Sequence, residues 1–140
     1  MSFHARRTVR FADCDLAGIV YFPQYLVMSN TLVEQWFDEG LGVPYAEFLG
    51  RRRMGLPIVR LECDFTAVSR HGDELDLRLG VKKLGRSSLM LAFEFSGGGE
   101  LRLRSLQTLV CTSLATHRPQ ALPDDLREAV LRYIEPETNP

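Results

Sequence analysis

The spacing of apolar residues predicts one long helix near the start of the chain. Between Tyr21 and Gly40, apolar side chains recur three and four residues apart, so that they lie along one stripe of an amphipathic helix. The stripe comprises Tyr25, Leu26, Ser29, Leu32, Val33, Trp36 and Phe37. Pro23 suits the first turn, where a missing N–H costs little, and Gly40 suits the position after the last turn, where positive φ is favoured. The width of the stripe indicates a helix that is buried against other elements.

Most of the remaining chain alternates apolar and polar residues, which is typical of strands with one buried face. The predicted strands cover residues 4–11, 59–67, 75–82, 87–96 and 100–113. The run Gly97-Gly98-Gly99 favours a tight reversal between the last two strands. In the last strand the apolar positions change phase between Leu103 and Leu106, and we expect a bulge near Ser105 to account for the change.

Two shorter helices complete the predicted order. Residues 44–52 favour a short helix, and the acidic residues that follow Pro123 favour a final one. The tail from residue 135 to residue 140 is expected to fray. No repeat or linker divides the chain, and so residues 1–140 are expected to form one α+β domain, in which an antiparallel sheet wraps around the long helix.

Composition narrows the classes of function. The 140 residues include 17 Lys and Arg against 18 Asp and Glu, and a net charge of −1 gives no overall field to attract nucleic acid. The three cysteines lack the Cys-x-x-Cys spacing of zinc sites and do not form a disulfide framework, which favours a reducing compartment and no metal. No segment has 18 consecutive apolar residues, so we expect no membrane partner. These features favour an ordinary globular protein of the cytoplasm.

The segment between the first strand and the long helix carries the strongest candidate chemistry. Motifs for serine hydrolases, zinc proteases, phosphate loops and dinucleotide binding are absent from the sequence. Asp15 lies in this segment, close to the first N–H groups of the helix, which have no partner within it. Such donors polarise an acyl carbonyl because they stabilise the negative oxygen that forms on attack. Asp15 could then attack the carbonyl carbon or take a proton from water, and the sequence leaves both routes open.

The same segment also resembles the signature of a known protein family. The residues run Asp13-Cys14-Asp15-x-Ala17-Gly18-Ile19-Val20-Tyr21-x-Pro23-x-Tyr25. This run resembles the active-site signature of the 4-hydroxybenzoyl-CoA thioesterase family, whose members adopt the hotdog fold. The resemblance implies a thioesterase that hydrolyses an aromatic or short-chain acyl-CoA to the free acid and CoA. It implies no cofactor, since coenzyme A is part of the substrate.

The resemblance also assigns roles to individual residues. It implies Asp15 as the catalytic carboxylate and the backbone N–H of Phe22 as the donor to the thioester carbonyl, at a position where relatives often carry Tyr or His. Four further residues are implied as substrate contacts: one in the signature segment, one for the acyl group on the long helix, and two for the phosphates of coenzyme A in a basic stretch. These residues are Tyr21, Asn30, Arg86 and Ser88. By the same resemblance the active site lies between two protomers of a homodimer or homotetramer.

Each assignment has a simpler alternative. Asp15 could cap a turn, Asn30 could hydrogen-bond to a neighbouring subunit, and Arg86 could be turn surface. Asp13 is expected to accept hydrogen bonds from nearby backbone N–H groups. Cys14 lies between two acids, which are expected to raise the pKa of its thiol and to leave it without a catalytic role.

Two other functions are alternatives to the thioesterase interpretation as a whole. A hydratase or dehydratase of the same fold would use a histidine with an acid, but His4, His71 and His117 are expected to be exposed and away from the central helix. A non-catalytic binding or assembly module could keep the fold, and affinity for acyl-CoA, without turnover.

Overall fold

The computed structural model describes residues 1–136 as a five-stranded sheet, a two-stranded sheet and three α-helices. The strands are β1 (Phe3–Thr8), β2 (Met54–Gly55), β3 (Ile58–Phe65), β4 (Glu74–Leu84), β5 (Ser88–Gly97), β6 (Glu100–Val110) and β7 (Thr112–Ser113). The helices are α1 (Phe22–Gln35), which continues as a π-helix (Trp36–Leu41), α2 (Tyr45–Gly50) and α3 (Asp124–Leu131). None of the helices in this range is long and apolar enough to cross a membrane.

The large sheet is antiparallel throughout, with the strand order β1-β4-β5-β6-β3. The β5–β6 turn consists of Gly98 and Gly99, whose φ angles are 57° and 79°. Two-residue hairpin turns of this kind need positive φ at both central positions, which glycine supplies without strain. The predicted antiparallel sheet is confirmed, and its two edges are β1 and β3.

The buried stripe of α1 and one face of the sheet form the hydrophobic core. The helix contributes Tyr25, Met28, Leu32 and Val33, and the π-helical turn adds Trp36 and Phe37. Strands β4 and β5 contribute Leu75, Leu77, Leu79, Val81, Leu89, Leu91, Phe93 and Phe95. Each large side chain buried in this way stabilises the fold by about 1.5–3 kcal/mol before conformational entropy is subtracted. The prediction of a central buried helix is confirmed.

The long helix ends later than predicted. Gly40 lies inside the π-helical turn, and Gly42, at φ 73°, takes the position after the last turn. A Cβ atom at Gly40 would lie 2.7 Å from Tyr133 Oη and 2.9 Å from the Trp36 ring. Gly40 is therefore required by close packing and not by positive φ. The local sequence cannot distinguish these two reasons for a glycine.

The first strand is shorter than predicted. β1 stops at Thr8, and Phe11 opens a short 3-10 turn in which its side chain is 81% exposed. The Asp13 carboxylate accepts hydrogen bonds from the Arg7 guanidinium and from the Arg10 N–H, both at 2.9 Å. These bonds turn the chain out of the sheet, and they confirm Asp13 as a structural acceptor.

The irregularity in β6 lies at Arg102 and not near Ser105. Between β5 and β6 the register shifts at Arg102, which is left without a partner residue. Beyond it, Ser105 and Gln107 face the core, where the Gln107 amide donates to Ser29 Oγ at 3.2 Å and Ser105 Oγ donates to the Glu62 carbonyl oxygen at 3.0 Å. The predicted bulge was wrong because polar side chains with hydrogen-bond partners can occupy core positions.

The chain beyond α3 returns to β4. The Glu135 N–H donates to the Val81 carbonyl oxygen at 2.9 Å, and the Glu135 carboxylate pairs with Arg78 and, at 3.1 Å, with Lys82. The prediction of a frayed tail is therefore wrong at Glu135. The part of that prediction that concerns residues 137–140 lies outside the described residues.

The edge strand β3 exposes an apolar surface. Within residues 1–136 it pairs with β6 alone, and Val59, Leu61 and Phe65 are 61%, 42% and 47% exposed. An edge strand presents unpaired N–H and C=O groups, and exposed apolar side chains beside them favour pairing with another chain. β3 thus has the character of an interface strand.

Candidate active site

A tight hairpin at the start of the signature segment positions Asp15. Cys14 pairs with Val20 across the hairpin, and the Asp15 N–H donates to the Ile19 carbonyl oxygen at 3.0 Å. The Gly18 N–H donates to the Asp15 carbonyl oxygen at 3.0 Å, with Gly18 at φ 77°. A side chain at position 18 would be strained in this conformation. The signature therefore specifies a defined turn as well as a carboxylate.

The Asp15 side chain lines a cavity of about 510 Å³. Its Oδ1 accepts a hydrogen bond from the Ala17 N–H at 2.8 Å, as in other turns capped by aspartate. Its Oδ2 has no protein partner among residues 1–136. The turn-capping alternative and the catalytic interpretation are thus compatible, because one oxygen holds the side chain while the other is open to a ligand.

The first turn of α1 offers one backbone donor. The Tyr21 N–H donates to the Asp13 carbonyl oxygen at 2.9 Å, and the Gln24 N–H donates to the Tyr21 carbonyl oxygen at 2.8 Å. Pro23 has no N–H, and the Phe22 N–H has no partner in the described part of the chain. The Phe22 N–H is therefore the available donor at the positive end of the helix dipole.

The Phe22 side chain belongs to an exposed aromatic group beside the β3 edge. Its ring lies 5.9 Å from the Phe65 ring and 5.5 Å from the Tyr21 ring, measured between centroids. Phe65 also contacts Tyr25, whose hydroxyl donates to Ser69 Oγ at 2.9 Å. The start of α1 and the end of β3 are therefore neighbours in space.

Cys14 behaves as predicted. Burial, followed by the charges of Asp13 and Asp15, raises the pKa of the Cys14 thiol. A thiol with a raised pKa is protonated near neutral pH and is a poor nucleophile.

His71 is a residue of the Asp15 cavity that the sequence did not indicate. Its backbone N–H donates to the Gly18 carbonyl oxygen at 3.3 Å, and its ring lies edge-on to Phe11 with 6.1 Å between centroids. The side chain is exposed, as predicted, but it shares the cavity with Asp15. The contact arises from the long-range pairing of Ile19 with Arg70, so no local pattern could have revealed it.

Asn30 lies in a different cavity, a groove of about 460 Å³ between α1 and the start of β3. Polar groups of Thr31, Glu34 and Tyr45 share the groove with apolar side chains. The apolar lining comprises Val27, Val33, Leu56, Pro57, Ile58 and Leu109. Burial, and then the charge of Glu34, raises the pKa of the Tyr45 phenol, so that Tyr45 keeps its proton and can donate it in a hydrogen bond.

Arg86 and Ser88 lie at the opposite end of the sheet from Asp15. They flank the β4–β5 turn, whereas the Asp15 hairpin adjoins the start of β4 through the pairing of Thr8 with Glu74. Strand β4 has 11 residues, so at about 3.3 Å per residue its two ends are roughly 30 Å apart. Arg86 is exposed, and the turn is held by the Gly85 N–H, which donates to the Ser88 carbonyl oxygen at 2.8 Å.

One chain thus brings together only some of the residues implied by the resemblance. Asp15 belongs to the hairpin cavity, and Tyr21 and Phe22 lie at the start of the helix that follows. Asn30 lines a separate groove further along α1, and the β4–β5 turn is remote from both. A site that uses all of these residues needs more than one chain.

Comparison with known proteins places the chain in a family. Residues 9–130 match the model of the thioesterase-like superfamily. The chain belongs to the thioesterase-like superfamily. The match begins just after β1 and runs into α3, and so it covers the Asp15 hairpin and four of the five strands of the large sheet.

Individual relatives agree with this membership. The chain is 30% identical over 139 residues to a 1,4-dihydroxy-2-naphthoyl-CoA hydrolase of Trichodesmium erythraeum, covering 95% of this chain and 98% of the relative. The crystal structure of a 1,4-dihydroxy-2-naphthoyl-CoA thioesterase from Synechocystis superposes with a TM-score of 0.86 at 27% identity, over 97% of this chain and 100% of that one. The 4-hydroxybenzoyl-CoA thioesterase of Pseudomonas sp. strain CBS-3 shares the fold, with a TM-score of 0.83 at 24% identity over 91% and 98% of the chains.

These comparisons confirm three predictions from the sequence. The resemblance to the 4-hydroxybenzoyl-CoA thioesterase family is confirmed, and so is the α+β hotdog fold. The class of enzyme is also confirmed as acyl-CoA thioester hydrolase. The roles of the individual site residues stay predictions.

Proposed function

We propose that this thioesterase hydrolyses an aromatic acyl-CoA in the cytoplasm, with Asp15 as its catalytic carboxylate. The observation that carries the proposal is the open Oδ2 of Asp15, in a cavity at the end of the hairpin that leads into α1. The Phe22 N–H at the start of that helix supplies a donor with no protein partner in residues 1–136. The Asp15 carboxylate can attack or act as a base, and the Phe22 N–H can stabilise the developing oxyanion. Both groups lie on one short segment.

In the proposed reaction the thioester carbonyl oxygen accepts a hydrogen bond from the Phe22 N–H. The donor and the helix dipole stabilise the negative charge that develops on this oxygen during attack. Asp15 either attacks the carbonyl carbon to form a mixed anhydride or removes a proton from the attacking water. In both routes the C–S bond breaks, and the acyl group leaves as the free acid.

The aromatic acyl class rests on the groove at Asn30 and on the relatives. The groove combines an apolar lining with the amide of Asn30, which can both donate and accept a hydrogen bond. Such a lining suits a ring with polar substituents better than a straight aliphatic chain. Two relatives are named for a dihydroxynaphthoyl thioester, whose acyl group is a ring system with polar substituents.

A homodimer formed through β3 would complete the site. Antiparallel pairing of β3 with its copy would satisfy the exposed edge and bury Val59, Leu61 and Phe65. It would also bring the β3 start of one protomer beside the β3 end of the other, because paired antiparallel strands run in opposite directions. The coenzyme A contacts Arg86 and Ser88 of one protomer would then approach the Phe22 N–H of its partner. A homotetramer would pair two such dimers.

The decisive experiment compares the wild type with Asp15→Asn on a panel of benzoyl, hydroxybenzoyl, phenylacetyl, dihydroxynaphthoyl and short aliphatic CoA thioesters. We expect aromatic thioesters to have the highest kcat/KM and Asp15→Asn to lower it by about 10²-fold or more. Asp124→Asn, an exposed acid in the first turn of α3, is the matched control. Equal hydrolysis by the wild type and Asp15→Asn would show that Asp15 is not catalytic, and no hydrolysis of any thioester would favour a non-catalytic binding module.

One observation favours a second candidate function. Hydratases and dehydratases of this fold use a histidine with an acid, and His71 shares the Asp15 cavity. We rank this candidate lower because no hydrogen bond joins the two side chains within residues 1–136. Incubation with an enoyl-CoA and its 3-hydroxyacyl-CoA partner distinguishes the two functions. Interconversion without release of free thiol would support the hydratase, whereas thiol release from aromatic thioesters supports the thioesterase.

A further inference from the structure

The Asp15 cavity contains two groups that can exchange a proton, and the proposed function uses only one of them. Asp15 of the hairpin, Phe11 of the 3-10 turn and His71 all line this cavity, and the His71 ring lies edge-on to Phe11. Most of the remaining lining is apolar or backbone, contributed by Cys14, Leu16 and Gly18. A thioester whose acyl carbon faces Asp15 would therefore have the His71 imidazole as a neighbour within the same open cavity.

Hydrogen bonds fix the backbone that carries His71, while its imidazole is exposed at the cavity. The backbone N–H of His71 donates to the Gly18 carbonyl oxygen. The Val20 N–H donates to the Ser69 carbonyl oxygen at 2.9 Å, which joins the adjoining loop to the hairpin. On the other side, the Asp73 carboxylate accepts the Arg102 guanidinium at 2.8 Å and the Arg70 N–H at 2.9 Å. Asp73 is engaged in this way and does not line the cavity, so Asp15 is the acid that shares the cavity with the imidazole among residues 1–136.

Near neutral pH, thioester hydrolysis ends with a proton on the departing sulfur. An alkyl thiolate has a conjugate acid with a pKa of about 8.5, so its departure near neutral pH is assisted by a proton donor. Imidazole is the side chain best suited to give and regain a proton in this pH range. Asp15 cannot serve as this donor at the start of the reaction, because it acts as an ionised nucleophile or base.

We infer that His71 is the general acid that protonates the coenzyme A sulfur as the C–S bond breaks. This inference rests on the proposed function. The protonated imidazole gives its proton to the sulfur, and the electron pair of the C–S bond leaves with the thiol. On the anhydride route, water then attacks, the acyl group leaves as the acid, Asp15 is released as a carboxylate, and the remaining proton returns to His71. On the general-base route, Asp15 first takes the water proton and then releases it to solvent, from which His71 regains a proton, so that both groups are restored.

The test uses leaving groups that differ in their need for a proton. The wild type, His71→Gln and His71→Asn are assayed with benzoyl thioesters of coenzyme A, N-acetylcysteamine and thiophenol. Thiophenolate is a much weaker base than an alkyl thiolate, so it departs with little help from an acid. We expect both variants to lose about 10²-fold in kcat with the two alkyl thioesters and less than about fivefold with the thiophenyl ester. His4→Gln, which changes an exposed histidine on β1, is the matched control.

Each outcome bears on a separate claim. An unchanged rate on all three thioesters, or an equal loss on all three, would overturn the assignment of His71, because a structural defect does not depend on the leaving group. Those results would leave the proposed function intact, since the wild type would still turn over. Failure of the wild type to hydrolyse any of the thioesters would overturn the proposed function, and the role of His71 with it.

Discussion

The two ends of β4 carry different kinds of functional group. At the Glu74 end, backbone hydrogen bonds fix the hairpin that carries Asp15, and the side chain itself is held by the Ala17 N–H. At the Leu84 end, Arg86 extends into solvent from a turn held by backbone bonds. The comparison indicates that the group proposed for bond cleavage is rigidly placed, whereas the group proposed for phosphate binding has freedom to adapt.

The distance between these ends has a consequence for assembly. A thioester of coenzyme A cannot use Asp15 and Arg86 of the same chain if the two lie at opposite ends of an 11-residue strand. Antiparallel pairing at β3 would bring together the unlike ends of two chains.

The largest effect is expected from charges placed on the β3 edge. Val59→Lys combined with Leu61→Lys should prevent self-pairing, because desolvating two lysines at an apolar interface is costly. We expect a monomer by sedimentation analysis, with kcat/KM lowered by about 10²-fold and circular dichroism unchanged. Leu131→Lys, at an exposed apolar residue of α3, is the control. A fully active monomer would contradict a site shared between protomers.

A smaller effect is expected at the Arg86 end. Arg86→Ala should raise KM for acyl-CoA by about tenfold with little change in kcat, because it removes a charged contact to a part of the substrate that does not react. The defect should disappear with N-acetylcysteamine thioesters, which have no phosphate. Arg51→Ala, which changes an exposed arginine beside Glu47, should behave as wild type. A loss of kcat on both substrates would place Arg86 in the reaction itself or in the fold.

Mixing two defective chains tests which ends meet. In a heterodimer of Asp15→Asn and Arg86→Ala chains, one site would carry both changes and the other would carry neither. Random reassortment of equal amounts should restore about a quarter of wild-type activity at substrate concentrations below KM. If each site used residues of a single chain, the mixture would show only the low activity expected from its Arg86→Ala subunits.

The smallest effect concerns the stability of the Asp15 end. The hydrogen bond from Arg102, followed by that from the Arg70 N–H, lowers the pKa of Asp73. A lowered pKa in the folded state stabilises the fold above the ordinary value of about 4, and this stabilisation is lost as the pH falls through the folded pKa. Asp73→Asn should therefore lower the free energy of unfolding by about 1 kcal/mol at neutral pH, and the difference from wild type should shrink towards pH 3 in urea titrations. A difference independent of pH would exclude the ionised pair as its cause.

Much of the fold and part of the site were determined by local sequence. The 3.6-residue period of α1, the alternation of β3 to β5 and the paired glycines at 98 and 99 are local patterns with a single economical structure. The signature segment likewise encodes its own turn through Gly18 and places Asp15 and the Phe22 N–H on one short stretch. These features were predictable because short-range sterics and hydrogen bonding decide them.

Other features were decided by contacts between distant parts of the chain. Gly40 is required by its close packing against Tyr133. The polar residues of β6 can lie in the core because Ser29 and the Glu62 carbonyl oxygen accept their hydrogen bonds. His71 reaches the Asp15 cavity because Ile19 pairs with Arg70. The separation of Asp15 from Arg86 appeared only once the strand order was known. Local patterns report what each residue prefers, but which distant residue becomes its neighbour is decided by the packing of the whole chain.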